Sequence, residues 1–134
     1  MTETTPGYAV AYLRDVNFND QIVAYLERID ATMEEYGGRF VVHGGQLHPL
    51  EGEWPGALVV LEVPSPQAAL DWYASPDYRE ILPLRTENSH SIATVVEGVP
   101  PGYRATDGLA VMLAEGRHRS SRRGSGLLPV AEAV

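Results

Sequence analysis

The sequence predicts an α+β domain whose elements run strand–helix–strand–strand–helix–strand. Three observations carry this. Short apolar, β-rich runs recur at Tyr8–Leu13, Arg39–Gln46, Ala57–Val63 and Ile92–Glu97. Between the first two runs, Ile22, Leu26, Ile29 and Met33 recur at spacings of four, three and four, which is one stripe of a helix. Between the last two runs, Ser65-Pro66 and Ser75-Pro76 each place a capping hydroxyl before a proline, the signature of a helix start.

Each element has its own signal. Tyr8–Leu13 (YAVAYL) is nearly all apolar and follows Pro6-Gly7, as a short buried strand does. Asn17–Asp20 (NFND) offers turn and helix-capping residues. On the helix that follows, Glu27, Arg28, Glu34 and Glu35 fall mostly off the apolar stripe. Gly37-Gly38 ends it, the first glycine suiting the left-handed position after a helix. In the second strand, alternation places Phe40 and Val42 on one face and Arg39, Val41 and His43 on the other. Gly44-Gly45 then permits a bulge or a close backbone approach. Leu47–Gly56 reads as a long hairpin connection, and Ala57–Val63 (ALVVLEV) as the most hydrophobic strand. The first helix after it carries Ala68, Ala69, Trp72 and Tyr73, and the second Tyr78, Ile81, Leu82 and Leu84-Arg85. Ile92–Glu97 (IATVVE) completes a four-stranded antiparallel sheet in the ferredoxin-like βαββαβ order. Helices cover one face of such a sheet. The other face is apolar too, so it is expected to pack against a second copy, giving a homodimer.

Composition narrows the classes of function. The 134 residues, 44% hydrophobic and 21% charged, suit one globular domain with a core. No apolar run approaches the roughly 20 residues that span a bilayer, and MTETTPG lacks the features of a secretory leader. The expectation is a cytoplasmic protein without a membrane partner. There is no cysteine, which excludes disulfides, thiolate catalysis and Cys-ligated metals. The net charge of -8 is uneven. Residues 1–99 hold 15 Asp/Glu against 5 Arg, or -10, whereas residues 100–134 hold 3 against 5, or +2. An acidic main domain repels phosphate backbones, so no nucleic-acid partner is expected.

Residues 1–99 are thus expected to form the domain, and 100–134 a C-terminal extension that is partly disordered or docks on a partner. Within it, Gly108–Glu115 (GLAVMLAE) suits an extra strand or a short helix. The basic, low-complexity Arg117–Gly126 (RHRSSRRGSG) is expected to be disordered alone, and Leu127–Val134 to be a loose end or a docking segment.

Several short motifs in order carry a family likeness: YGGRF at Tyr36–Phe40, GGQ at Gly44–Gln46, LEGEWP at Leu50–Pro55, WYASPDY at Trp72–Tyr78, PLR at Pro83–Arg85 and VVEG at Val95–Gly98. In these, residues 7–99 resemble domain-of-unknown-function family thirteen-thirty, within the dimeric α+β barrel superfamily. The resemblance implies a pocket between sheet and helices. By analogy with superfamily members it also implies cofactor-free oxygenation, cyclisation or isomerisation of a small apolar or aromatic metabolite. The alternative is a non-catalytic ligand-binding or structural dimer module.

The candidate chemistry is confined to a few side chains. His43, beside two glycines, is a candidate general base; a hydrogen-bonded interface histidine is the alternative. Glu51 in EGEW is a candidate acid–base group if the indole of Trp54 desolvates it, or else a turn acceptor. Tyr78 is a candidate donor to a substrate carbonyl or enolate, or a packing residue. Arg85 and Arg39 are candidates to hold a carboxylate or phosphate, against the commoner salt bridge. Arg85 has the stronger case because it lies in the family-like PLR motif. Trp54, Trp72 and His90 are candidates to wall or contact the substrate, against Trp54 covering a core edge, Trp72 packing in the core and His90 facing either way. His48 belongs to the hairpin loop. No cofactor is expected. His43, His48 and Glu51 have only a loose ligand spacing, so no metal is expected, and GG-x5-GG lacks the helix and lysine of a phosphate loop.

Overall fold

The computed structural model describes residues 5–123. The chain divides between Pro100 and Pro101 into two compact units. In the first, β1 (Gly7–Arg14), α1 (Asp20–Met33), β2 (Arg39–His43), β3 (Ala57–Val63), α2 (Pro66–Ala74), α3 (Pro76–Thr86) and β4 (His90–Glu97) follow in the expected order. The strands form one antiparallel sheet in the order β2-β3-β1-β4, which is the ferredoxin-like α+β architecture.

Local chemistry sets the boundaries. The Asn19 side chain caps α1 by accepting from the backbone N–H groups of Gln21 and Ile22 at 3.0 and 3.1 Å. A 3-10 turn, Glu34–Tyr36, follows the helix, and Gly37 stops it at φ 71°. Ser65 and Ser75 cap α2 and α3, each before a proline. Gly7 answers to a close approach: a Cβ there would stand 2.5 Å from the backbone nitrogen of Pro66. The start of β1 therefore lies against the start of α2.

Strand pairing sorts the two sheet faces. Ala9, Ala11 and Leu13 stand opposite Leu61, Val59 and Ala57 on one side and Val95, Ala93 and Ser91 on the other. These face the helices, where Tyr25, Ile29, Met33, Leu61, Trp72, Tyr78 and Ile81 form the core. The opposite face carries Tyr8, Val10, Tyr12, Leu58, Val60, Ile92, Thr94 and Val96. There Ile92 is 74% exposed.

The structure corrects two expectations of this region. The apolar stripe of α1 runs through Ile22, Tyr25, Ile29, Thr32 and Met33, and Leu26 is partly exposed. In β2, simple alternation fails. Phe40 pairs with Leu61, Val42 with Val60 and His43 with Val59, so the register shifts at Val41. A bulge makes two residues oppose one and reverses the faces beyond it. His43 therefore joins Phe40 on the helix-facing side, and the two rings stack with centroids 4.4 Å apart.

The second unit contains a 3-10 turn, Ala105–Gly108, and α4 (Leu109–Arg123). The Asp107 carboxylate accepts from the Arg104 backbone N–H at 2.8 Å to open it. Of the strand or helix expected at Gly108–Glu115, the structure has the helix. That helix continues through Arg117–Arg123, where disorder was expected. The rest of that basic stretch, and Leu127–Val134, lie outside the described residues.

Candidate functional site

A cavity of about 330 Å³ opens between the helix-facing side of the sheet and helices α1, α2 and α3. Its lining is mainly aliphatic and aromatic, including Ala9, Ile22, Ile29, Leu61, Leu70 and Val95. The polar side chains are few: Tyr25, Tyr73, Tyr78, Arg85 and, on the edge strand β2, His43. A mainly apolar cavity with a few convergent polar groups is the usual shape of a small-molecule site.

Those polar groups are placed by ordinary helix geometry. Ser75 caps α3 through the Tyr78 backbone N–H, which fixes Tyr78 in the first turn. Arg85 lies seven residues on, two turns along the same helix face. Tyr25 comes from the middle of α1. Its hydroxyl stands 2.7 Å from that of Tyr78. Arg85 donates from Nη1 to the Ser91 hydroxyl on β4 at 2.6 Å and from Nη2 to the Tyr78 hydroxyl at 3.5 Å. Trp72 packs on Tyr78 with ring centroids 4.2 Å apart. Its indole N–H donates to the Thr32 hydroxyl at 2.9 Å, and Thr32 in turn donates to the Ile29 carbonyl. The indole is thereby locked in orientation.

Two features of this cluster are unusual. Arg85 is 6% exposed, yet among the described residues no carboxylate pairs with it; the ion pairs are Arg28–Glu80, Arg39–Glu62 and His90–Asp15. Buried charges are ordinarily paired. Second, the two phenols carry two hydroxyl hydrogens and spend one on the bond between them. Whichever donates, one hydrogen is left for a further acceptor. Burial first, then the neighbouring Tyr78 hydroxyl, push Tyr25 well above the ordinary phenol range, so it stays neutral. Burial works against the Arg85 charge, but the phenols of Tyr78 and Tyr25 more than offset it and hold the guanidinium above its ordinary value.

The cavity thus gathers His43, Tyr78, Arg85 and Trp72 from the residues named by the sequence. It does not include the others. Glu51 is exposed in the β2–β3 connection, where its backbone carbonyl accepts from the Trp54 indole at 3.2 Å. Trp54 packs edge-on against Tyr12, a residue of the open sheet face. It shares a shallow groove there with His90, whose ring lies 3.0 Å from Asp15. Arg39 is exposed and pairs with Glu62 at 2.6 Å. Tyr8 also donates to Glu62, and this bond, followed by Arg39, holds the Glu62 carboxyl below the usual carboxylate range. Among the described residues, no group of three or more His, Asp or Glu could hold a metal ion. Nor is any helix among them long and apolar enough to cross a membrane.

Tyr25, Ser91 and Thr32 were missed in the sequence. Tyr25 had a signal: it is three residues after Ile22 and four before Ile29, on the stripe itself. Ser91 alternates with Ala93 and Val95 on β4, so its inward face was also legible. Thr32 had none, since its role depends on where Trp72 lands across the core.

Fold and geometry together define a ferredoxin-like α+β domain with a cavity between its sheet and its helices. The chain belongs to the family described as Domain of unknown function (DUF1330), which it matches over residues 6–99. No curated protein matches the sequence. Among solved structures, it is similar to the methylated RPA0582 protein, with a TM-score of 0.53 and 21% identity over 75% of this chain and 85% of that one. A second structure, of the RPA0582 protein of unknown function from Rhodopseudomonas palustris, gives a TM-score of 0.50 and 20% identity over 72% and 85%. A dimeric ferredoxin-like protein of unknown function from Thermobifida fusca gives 0.49 and 15% over 72% and 94%. At these identities the likeness is one of fold.

Proposed function

We propose that this domain is a small-molecule enzyme that moves a proton without a cofactor, working as a homodimer. The observation that carries the reading is the Arg85–Tyr78–Tyr25 cluster, a buried cation and a spare phenol hydrogen in a cavity otherwise built for an apolar body. A substrate carbonyl oxygen seated there meets donors already in place, which is how developing negative charge on oxygen is stabilised. His43 lines the same cavity and is the group suited to take a proton from the adjacent carbon. The C–H bond breaks, the proton passes to the imidazole, and the electron pair shifts to the oxygen as an enolate. Return of the proton at another carbon gives an isomer. Cyclisation starts from the same enolate, as does oxygenation with dioxygen as co-reactant. The second copy is invoked to cover the open sheet face, where Val10, Tyr12, Leu58, Val60 and Ile92 form one apolar surface.

Native mass spectrometry of the protein from its own host gives its oligomeric state and the mass of any bound molecule. The released compound is then returned to fresh protein in D2O, and deuterium uptake at carbon is measured. His43→Ala is expected to slow exchange by about 10²–10⁴-fold, and Arg85→Met by about 10²–10³-fold. Exchange unchanged by both substitutions removes the catalytic reading. The exposure of His43 favours one alternative, a domain that holds its ligand without turning it over. In that case Arg85→Met lowers affinity and no protein-dependent exchange occurs.

A further inference from the structure

We infer that the cavity takes a monoanionic carboxylate with a flat, apolar body, and that the ligand is the counter-ion Arg85 lacks. This rests on the cavity being a ligand site, as proposed above, and adds the ligand's charge and shape. An arginine that is 6% exposed holds its charge at any physiological pH, so its environment must supply compensation. Among the described residues, the groups Arg85 bonds are neutral hydroxyls: Ser91 at 2.6 Å and Tyr78 at 3.5 Å. A guanidinium has five N–H donors. Among the described residues two are engaged, which leaves a fork for a carboxylate, the anion whose two oxygens match it. The spare phenol hydrogen of the Tyr25–Tyr78 pair is left for the carbonyl oxygen of the proposed reaction, so the two oxygen groups of such a ligand use different donors.

Charge count and lining select this anion over others. One cation balances one negative charge. A phosphate monoester brings nearly two, and among the described residues no second basic side chain except the edge-strand His43 lines the cavity. Around the cluster, Trp72, Tyr73 and Tyr78 pack with centroid separations of 4.2 to 6.2 Å. These ring faces and edges, with the aliphatic floor from the sheet, accept a planar or ring-bearing body.

Isothermal titration calorimetry of the full chain with three probes of one shape tests this: 2-naphthoate, neutral 2-naphthamide and 2-naphthyl phosphate. In wild type, 2-naphthoate is expected to bind at least about tenfold more tightly than either of the others. Arg85→Met should lower affinity for the acid at least about tenfold and for the amide much less, so that the preference for acid over amide is erased. Arg85→Lys, which keeps the charge and loses the fork, should retain part of it. Circular dichroism confirms that each variant is folded. Equal affinity for acid and amide overturns the charge inference and leaves the cavity reading standing. Preference for the phosphate overturns the choice of anion. No binding of any probe at millimolar concentration overturns both readings. A carboxylate preference with no deuterium exchange in the companion experiment removes the enzyme and keeps the anion site.

Discussion

Arg85→Met should make the ligand-free protein more stable, because the fold desolvates the Arg85 guanidinium without pairing it to a carboxylate among the described residues. The guanidinium is 6% exposed and has no carboxylate partner among the described residues. Desolvating such a group costs several kcal/mol. One charged hydrogen bond, to Ser91 at 2.6 Å, returns about 1.5–3 kcal/mol, and the 3.5 Å contact to Tyr78 returns little. Methionine keeps an unbranched apolar stem of similar length, so the burial of the arginine stem is retained rather than lost. Against that stands an orphaned Ser91 hydroxyl, at about 1–3 kcal/mol. The balance favours the variant by about 1 kcal/mol, which for a domain near 100 residues raises Tm by about 4–8 °C. Urea and thermal unfolding of dialysed wild type and variant, at equal concentration so that dimerisation cancels, give the difference directly. A loss of about 2 kcal/mol or more would refute the reasoning: Arg85 would then be a structural residue whose hydroxyl contacts outweigh its desolvation.

Two other outcomes follow from separate parts of the molecule. Ile92→Asp puts a charge within the proposed dimer contact, on a residue already 74% exposed in the single chain. Losing an isoleucine on both copies costs at least about 3 kcal/mol, so light scattering after gel filtration should show the mass halved at concentrations where wild type is dimeric. Tyr25, held above its ordinary value of 10.0 by burial and then by Tyr78, should govern alkaline unfolding. Its folded-state value is raised, so its contribution is fully present below about pH 10 and is lost as pH climbs from there toward the folded value. Tyr25→Phe should flatten urea-unfolding stability between pH 9 and 11, at a cost of about 0.5–1.5 kcal/mol near pH 7.

The fold was legible because its signals are local and mutually consistent. Each helix start is written in two residues: Asn19-Asp20, Ser65-Pro66 and Ser75-Pro76 all cap as their chemistry dictates. The apolar face opposite the helices could be read too, since β1, β3 and β4 are apolar at both parities. Within α1, the choice between Leu26 and Tyr25 was not decided by hydrophobicity. Tyrosine is buried because a partner hydroxyl waits across the core on Tyr78, 53 residues away. Position on a helix face is a local property, whereas a partner for a buried hydroxyl is a tertiary one.

The site was legible in proportion to how little of it depended on β2. Tyr78 and Arg85 share a helix face by spacing alone, and the sequence placed both. His43 reached the cavity for a reason alternation denied. Without the shift at Val41 it would stand on the open face beside Arg39, in the proposed dimer contact, and Phe40 would line the cavity alone. The bulge costs one residue's ladder pairing on an edge strand, where there is no further strand to upset. What it provides is an imidazole and a phenyl ring on the same side. Nothing in the packing of β2 requires this, because Val41 and Val42 would serve an unbulged strand equally well. The bulge is what places His43 beside the cavity rather than on the open face, and so decides which side of the sheet its imidazole serves.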